Sequence, residues 1–227
     1  MLHGLPISVK DTYSVKAYAS TNGIVSWLPN VVAANCLAVD SILDNGGIVI
    51  AKTSTSQACQ LVESINNIYG TVGNPHNPKL SAGGSSGGDA ALVSAGGSIL
   101  GSGVDGGGSI RFPATMCGIW ALKGSKGRFT GKGMASIASG NESVNAAYGP
   151  FARSVAGLEM WVKAQLLSKP WERDHTCTPM PWNEELAKRR RPDKLTIAVV
   201  RDDGVIYPSR PVAVRSILPR YIYPSHC

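Results

Sequence analysis

Two serines have the surroundings for chemistry, because each sits in a collar of glycine: Gly83-Gly84-Ser85-Ser86-Gly87-Gly88 and Gly106-Gly107-Gly108-Ser109. Glycine at this density is needed where the backbone must take conformations closed to other residues, or must come very close to a ligand. Three readings compete. Backbone N–H groups at a helix start suit a phosphate, but the chain has neither G-x-x-x-x-G-K-[ST] nor G-x-G-x-x-G between a strand and a helix. The glycines could instead serve tight packing, with the serines as polar filler. The third reading is acyl transfer, which needs a nucleophile, a proton carrier to the leaving nitrogen and N–H donors where the oxyanion forms. Gly106, Gly107, Gly108 and Ser109 supply main-chain donors around a nucleophilic Ser109. No His and Asp are placed for a His-based triad, so the base must be another group, and a buried lysine with a lowered pKa is one option.

The elements that would position these residues read as α/β. Gly4-Leu5-Pro6-Ile7-Ser8-Val9-Lys10-Asp11 is a turn and then a short apolar strand with a lysine at its end. Taken alone, Lys10 reads as a surface lysine, as most lysines are. Residues 35–45 carry Leu37, Ile42 and Leu43 at helical spacing, with Asn35 as N-cap and Gly46 as the stop, and residues 47–51 follow as a buried strand. Residues 66–78 read as loop, with His76 a hydrogen-bonding loop residue rather than a base. A helix is expected just after Gly88, a strand from Ile99 to Val104, and a second helix opened by Ser109 with Pro113 in its first turn. That helix start would aim free N–H groups and the positive dipole end at a ligand. A helix over 155–167, an exposed connection over 168–194 and a buried strand over 195–200 complete the pattern. Helix followed by apolar strand is the mark of an α/β domain.

Composition bounds the rest. The 227 residues are enough for a real core, and 43% hydrophobic with 16% charged residues describes a globular chain. No apolar run reaches the length of a membrane span and the N-terminus lacks the order of a secretory signal, so a cytoplasmic protein that neither spans nor binds a membrane is expected. Cys36, Cys59, Cys117, Cys177 and Cys227 are odd in number and scattered without a C-x-x-C pair, which suggests reduced, mostly buried thiols and no zinc site. Much of the net charge of +7 sits in Lys188-Arg189-Arg190-Arg191, a solvated run rather than a nucleic-acid surface.

The motifs together resemble the amidase signature family, whose pattern runs G-G-S-S-G-G and then, about two dozen residues later, G-G-S-[IV]-R-x-P-A, with G-x-P-x-x-x-K-D upstream. Here stand Gly4, Pro6, Lys10 and Asp11; Gly83 to Gly88; and Asp105, Gly107, Gly108, Ser109, Ile110, Arg111 and Pro113. The likeness continues through Gly118, Leu122, Lys123, Gly127, Arg128, Gly149-Pro150 and Arg153, and residues 195–208 resemble fungal acetamidase-type members. The resemblance implies a mixed central β-sheet flanked by helices on both faces, in a single amidase signature domain over 1–227. It also implies a Ser-cisSer-Lys triad, with Ser109 the acylated nucleophile, Ser85 the bridging serine after a cis peptide and Lys10 the terminal base.

On that reading Asp105 and Arg111 form an ion pair bracing the loop. The implied activity is hydrolysis of a linear carboxylic amide to acid and ammonia or amine, without metal or organic cofactor. The implied partners are a small-molecule amide and, at most, a second copy of the chain in a homodimer. Two departures stand out: Val104 where the family has Thr, and Lys123-Gly124-Ser125 where it has Lys-Pro-Thr. The second, with the acetamidase-like residues 195–208, weighs against the alternative of a tRNA-dependent amidotransferase subunit. Family members carry more helices before the lysine element and a longer C-terminal portion. The chain is therefore read as truncated at both ends and expected to be poorly soluble or only weakly active; the remaining alternative is a non-catalytic fragment.

Overall fold

A computed structural model describes residues 1–188 and residue 205, in two units, Met1–Trp182 and Asn183–Cys227. The first unit holds the strands β1 (Pro6–Lys10), β2 (Ile48–Thr53), β3 (Ile65–Asn66), β4 (Gly70–Thr71), β5 (Gly73–Asn74), β6 (Asn77–Ser81), β7 (Leu100–Asp105), β8 (Trp120–Ala121) and β9 (Ala147–Ala152). Its helices are α1 (Leu37–Asp44), α2 (Gly87–Ser94), α3 (Arg111–Cys117) and α4 (Val155–Leu167). In the second unit α5 (Glu184–Lys188) is capped by Asn183, whose Oδ1 accepts from the Leu186 N–H at 2.8 Å. The expected strand over 195–200, the arginines of the basic run and the residues after 205 lie outside the described residues.

Five strands form a mixed sheet in the order β2-β1-β7-β9-β8. β1 runs parallel to β2 and β7, whereas β9 runs antiparallel to β7 and β8. Strand alternation sends successive side chains of β1 to opposite faces. Ile7 and Val9 enter one core with Val39 and Ile42 of α1 and Leu158, Trp161 and Val162 of α4. Ser8 faces α2, where its hydroxyl donates to Asp89 Oδ1 at 2.7 Å, and Lys10 follows on the same face. The second core joins Ala90 and Val93 of α2 to Ile110, Ala114 of α3 and Phe151 of β9. Helices thus cover both faces of a mixed sheet, as the sequence implied.

The α4 helix spans the expected residues because Ser154 caps it, accepting from the Gly157 N–H at 3.2 Å. Elsewhere the structure differs from expectation for local reasons. Asn35 does not cap α1: its Oδ1 accepts from the Lys16 N–H at 2.7 Å, and Cys36 stands at the cap. Among the described residues β2 is an edge strand, and Ile48 and Ile50 are exposed rather than buried. The stretch read as loop over 66–78 overlaps two short antiparallel ribbons, β3-β4 and β5-β6, too brief to show periodicity. His76 behaves as read, its Nε2 lying 3.0 Å from the Cys117 carbonyl. Within the connection expected to be exposed, Pro170, Asp174 and Cys177 are buried, and Asp174 accepts from the Thr130 hydroxyl at 2.6 Å. Among the described residues no helix is long and apolar enough to cross a membrane.

Candidate active site

Lys10 ends β1 on the face that α2 covers, which buries it completely. Its Nζ donates to Ser85 Oγ at 2.6 Å. Burial disfavours the ammonium and lowers the Lys10 pKa, against the opposing pull of Cys59, Asp89 and Asp105. A lysine in this position gives up its proton more readily than one at the surface.

Ser85 is also fully buried, and the Gly84–Ser85 peptide is cis. Its carbonyl accepts from the hydroxyls of Thr55 at 2.7 Å and Ser64 at 3.2 Å. The collar glycines admit this crowding. A Cβ on Gly84 would stand 2.7 Å from the Glu63 backbone, and one on Gly88 would stand 2.6 Å from the Ser54 carbonyl oxygen.

The second collar leaves β7 at Asp105. Ser109 does not open a helix, since α3 begins two residues later at Arg111. The turn is organised by the buried Asp105 carboxylate, which accepts from the N–H groups of Gly108 at 2.7 Å, Ile110 at 3.1 Å and Arg111 at 3.3 Å. Arg111 adds a two-pronged ion pair, Nε to Oδ2 and Nη2 to Oδ1, both at 3.0 Å. Burial would raise the Asp105 carboxyl, but Arg111 and these N–H donors hold it at about 2. The N–H of Gly108, expected among the oxyanion donors, is therefore committed to Asp105. Those of Gly106, Gly107 and Ser109 make no hydrogen bond among the described residues.

The two collars meet where the Ser86 N–H donates to the Ser109 carbonyl at 3.1 Å. The Ser86 hydroxyl lies 3.3 Å from the Val104 carbonyl and 3.4 Å from its N–H, so backbone contacts hold the strand where the family has a threonine. Lys10, Ser85, Ser109, Gly106 and Gly107 share the lining of one cavity of about 480 Å³. Its other walls include Leu61, Val62, Met134, Ile137, Val144 and Tyr148.

Sequence reasoning missed Asp89, buried in α2 beside Ser8 and Thr53, whose hydroxyl donates to its Oδ2 at 2.6 Å. Burial raises its carboxyl to about 6, against those two hydroxyls and the nearby Lys10. An acidic residue inside the small-residue run Gly88-Asp89-Ala90-Ala91 was the available signal. It also missed the cavity wall at residues 131–146, which carries no catalytic residue type in a recognisable spacing.

The model of the Amidase family matches residues 1–216. The acetamidase of Emericella nidulans is 37% identical over 215 residues, covering 93% of this chain and 39% of that protein. Fatty-acid amide hydrolase 1 of Sus scrofa is 34% identical over 218 residues, covering 96% and 37%. Among solved structures, a fatty acid amide hydrolase superposes with a TM-score of 0.90 at 39% identity, over 95% of this chain and 38% of its own. The chain spans about two fifths of the length of these relatives. On its motifs, its sheet and these matches, the chain belongs to the amidase signature family.

Proposed function

We propose that this chain carries the acyl-transfer site of an amidase that hydrolyses linear carboxylic amides, with Ser109 as nucleophile, Ser85 as proton bridge and Lys10 as base. The observation that carries the reading is the 2.6 Å bond between Lys10 Nζ and Ser85 Oγ, both fully buried, on a cavity shared with Ser109. A desolvated lysine bonded to a serine hydroxyl has no structural use that a methionine would not serve more cheaply. It does have a chemical use.

In the proposed cycle neutral Lys10 takes the Ser85 proton while Ser85 Oγ takes the Ser109 proton, and Ser109 Oγ bonds to the amide carbonyl carbon. The free N–H groups of Gly106, Gly107 and Ser109 receive the oxyanion. Collapse breaks the carbon–nitrogen bond as the relay returns the proton through Ser85 to the departing nitrogen, which leaves as ammonia or amine. Water then enters, gives a proton to the same relay and attacks the acyl-Ser109 carbonyl, releasing the acid and restoring the Ser109 hydroxyl. Every proton moves within the three side chains, the substrate and water, so the cycle closes without a cofactor.

The test is ammonia release from short aliphatic amides by the full chain. The reading expects turnover that Ser109→Ala abolishes; equal release by the two proteins would contradict it.

A further inference from the structure

Thr55 stands just past the end of β2 and is 1% exposed. It touches no step of the proposed cycle, yet its hydroxyl donates to the Ser85 carbonyl at 2.7 Å. The residue is itself held in place: its carbonyl accepts from Asn66 Nδ2 at 2.7 Å, and the preceding Ser54 carbonyl accepts from the Gly88 N–H at 3.2 Å.

The direction of the contacts follows from counting protons. A threonine hydroxyl has one proton and a carbonyl can only accept, so the Ser85 bond takes it. The Cys59 sulfur, 3.4 Å from Thr55 Oγ1, is then the donor of the second contact. One directed chain results, from the Cys59 S–H to the Thr55 hydroxyl to the Ser85 carbonyl. Ser64 does not make this chain redundant, because its single proton is divided between the Gly83 carbonyl at 2.9 Å and the Ser85 carbonyl at 3.2 Å. The shorter bond to Ser85 is the one from Thr55.

What that bond holds is a peptide plane between the two serines. The Ser85 carbonyl and the Ser86 N–H belong to one planar unit and point to opposite sides of the chain. The carbonyl end rests on Thr55, and the N–H end donates to the Ser109 carbonyl at 3.1 Å. Freeing the carbonyl end lets Ser85 shift against Ser109, and with it the Oγ that meets Lys10 Nζ at 2.6 Å. We propose that Thr55 is a positioning residue of the relay, its hydroxyl setting Ser85 between Lys10 and Ser109. The roles of those three residues rest on the amide-hydrolase reading above.

The test follows phosphonylation of Ser109 in the full chain by excess fluorophosphonate, read as the rate constant of the intact-mass time course. That constant, unlike the final extent, does not depend on what fraction of the protein is folded. Two pairs isolate the hydroxyl: wild type against Thr55→Val, which keeps the branch, and Thr55→Ser against Thr55→Ala, which both lack it. In each pair the protein without the hydroxyl should react about tenfold more slowly, the worth of one hydrogen bond in a rate. Thr55→Ser should stay close to wild type. A packing role predicts the reverse order, with Thr55→Val matching wild type and Thr55→Ser slowed. Equal rates within either pair overturn the proposal, and so does a folded wild-type chain that is not labelled on Ser109. If Thr55→Val does not fold, the Ser and Ala pair decides. Ammonia release from hexanamide separates the two claims. Hydroxyl-dependent labelling without release by the wild-type chain sinks the hydrolase reading alone, and release with hydroxyl-independent labelling sinks the Thr55 role alone.

Discussion

Lys10 and Asp89 lie on the same buried side of the sheet, one at the end of β1 and the other in the first turn of α2, and each shifts the other's titration. Burial lowers the lysine and raises the carboxyl to about 6, while their mutual attraction opposes both changes. Asp89 reaches Lys10 only through charge, because its oxygens are taken by Ser8 and Thr53.

The first prediction is a pH profile. With neutral Lys10 as base, kcat/KM rises with pH as the lysine loses its proton, at a pKa below the ordinary 10.5. Asp89→Asn removes a negative charge that supports the ammonium, so this limb should move to lower pH. A limb that stays in place would remove Asp89 from the electrostatics of the site.

Stability should respond to pH with the opposite sense to a usual carboxylate. The Asp89 pKa is raised from 3.8 to about 6, so between these values the folded protein holds more protons than the unfolded one. Its contribution to stability is therefore lost as pH rises through that window. Relative to Asp89→Asn, the wild-type melting temperature should fall between about pH 4 and about pH 6, a span set by the same two pKa values. Asp105 acts in the other direction at lower pH, its contribution disappearing as pH falls from 3.8 towards about 2. Parallel melting curves for the two proteins across the window would refute the Asp89 assignment.

Glycine substitutions should divide by what surrounds them. At Gly88, inside α2, alanine gains about 1 kcal/mol of helix propensity, but its Cβ would meet the Ser54 carbonyl oxygen at 2.6 Å, and that backbone cannot swing aside. The clash, worth ~1–3 kcal/mol or more, wins, so Gly88→Ala should lower the denaturation midpoint. A Cβ on Gly107 has nothing within 4 Å, so Gly107→Ala should leave that midpoint nearly unchanged. Chemical denaturation of the two variants checks both.

In the proposed relay Lys10 and Ser85, bonded at 2.6 Å, move one proton together, so their losses should be non-additive. Lys10→Ala and Ser85→Ala should each lower kcat/KM by about 10²–10⁴, and the double variant should fall little further. Fully additive losses would show that Lys10 is not acting through Ser85.

How much of this could be read from residue order depends on whether the cause is local. The α4 boundaries follow from a Ser cap and an apolar run, and the alternation Ile7-Ser8-Val9-Lys10 sets the side of β1 that Lys10 occupies. That α2 covers this side, turning an apparent surface lysine into a buried one bonded to Ser85, is a tertiary fact with no local mark. The β9 strand has little local mark, because Gly149 and Pro150 are poor strand residues, yet Pro150 pairs with Ser102 inside the sheet. Gly108 was counted as an oxyanion donor on position alone; only the fold shows that Asp105 claims its N–H.

The central claim, that Ser109 is the nucleophile of a Lys10–Ser85 relay, is tested most directly by covalent trapping. The full chain is treated with a fluorophosphonate, its intact mass is measured, and the adduct is located by peptide mapping. The account predicts one adduct, on Ser109, absent in Ser109→Ala and formed much more slowly in Lys10→Ala. An adduct on Ser85 or Ser86, or no adduct on a folded chain, would contradict it.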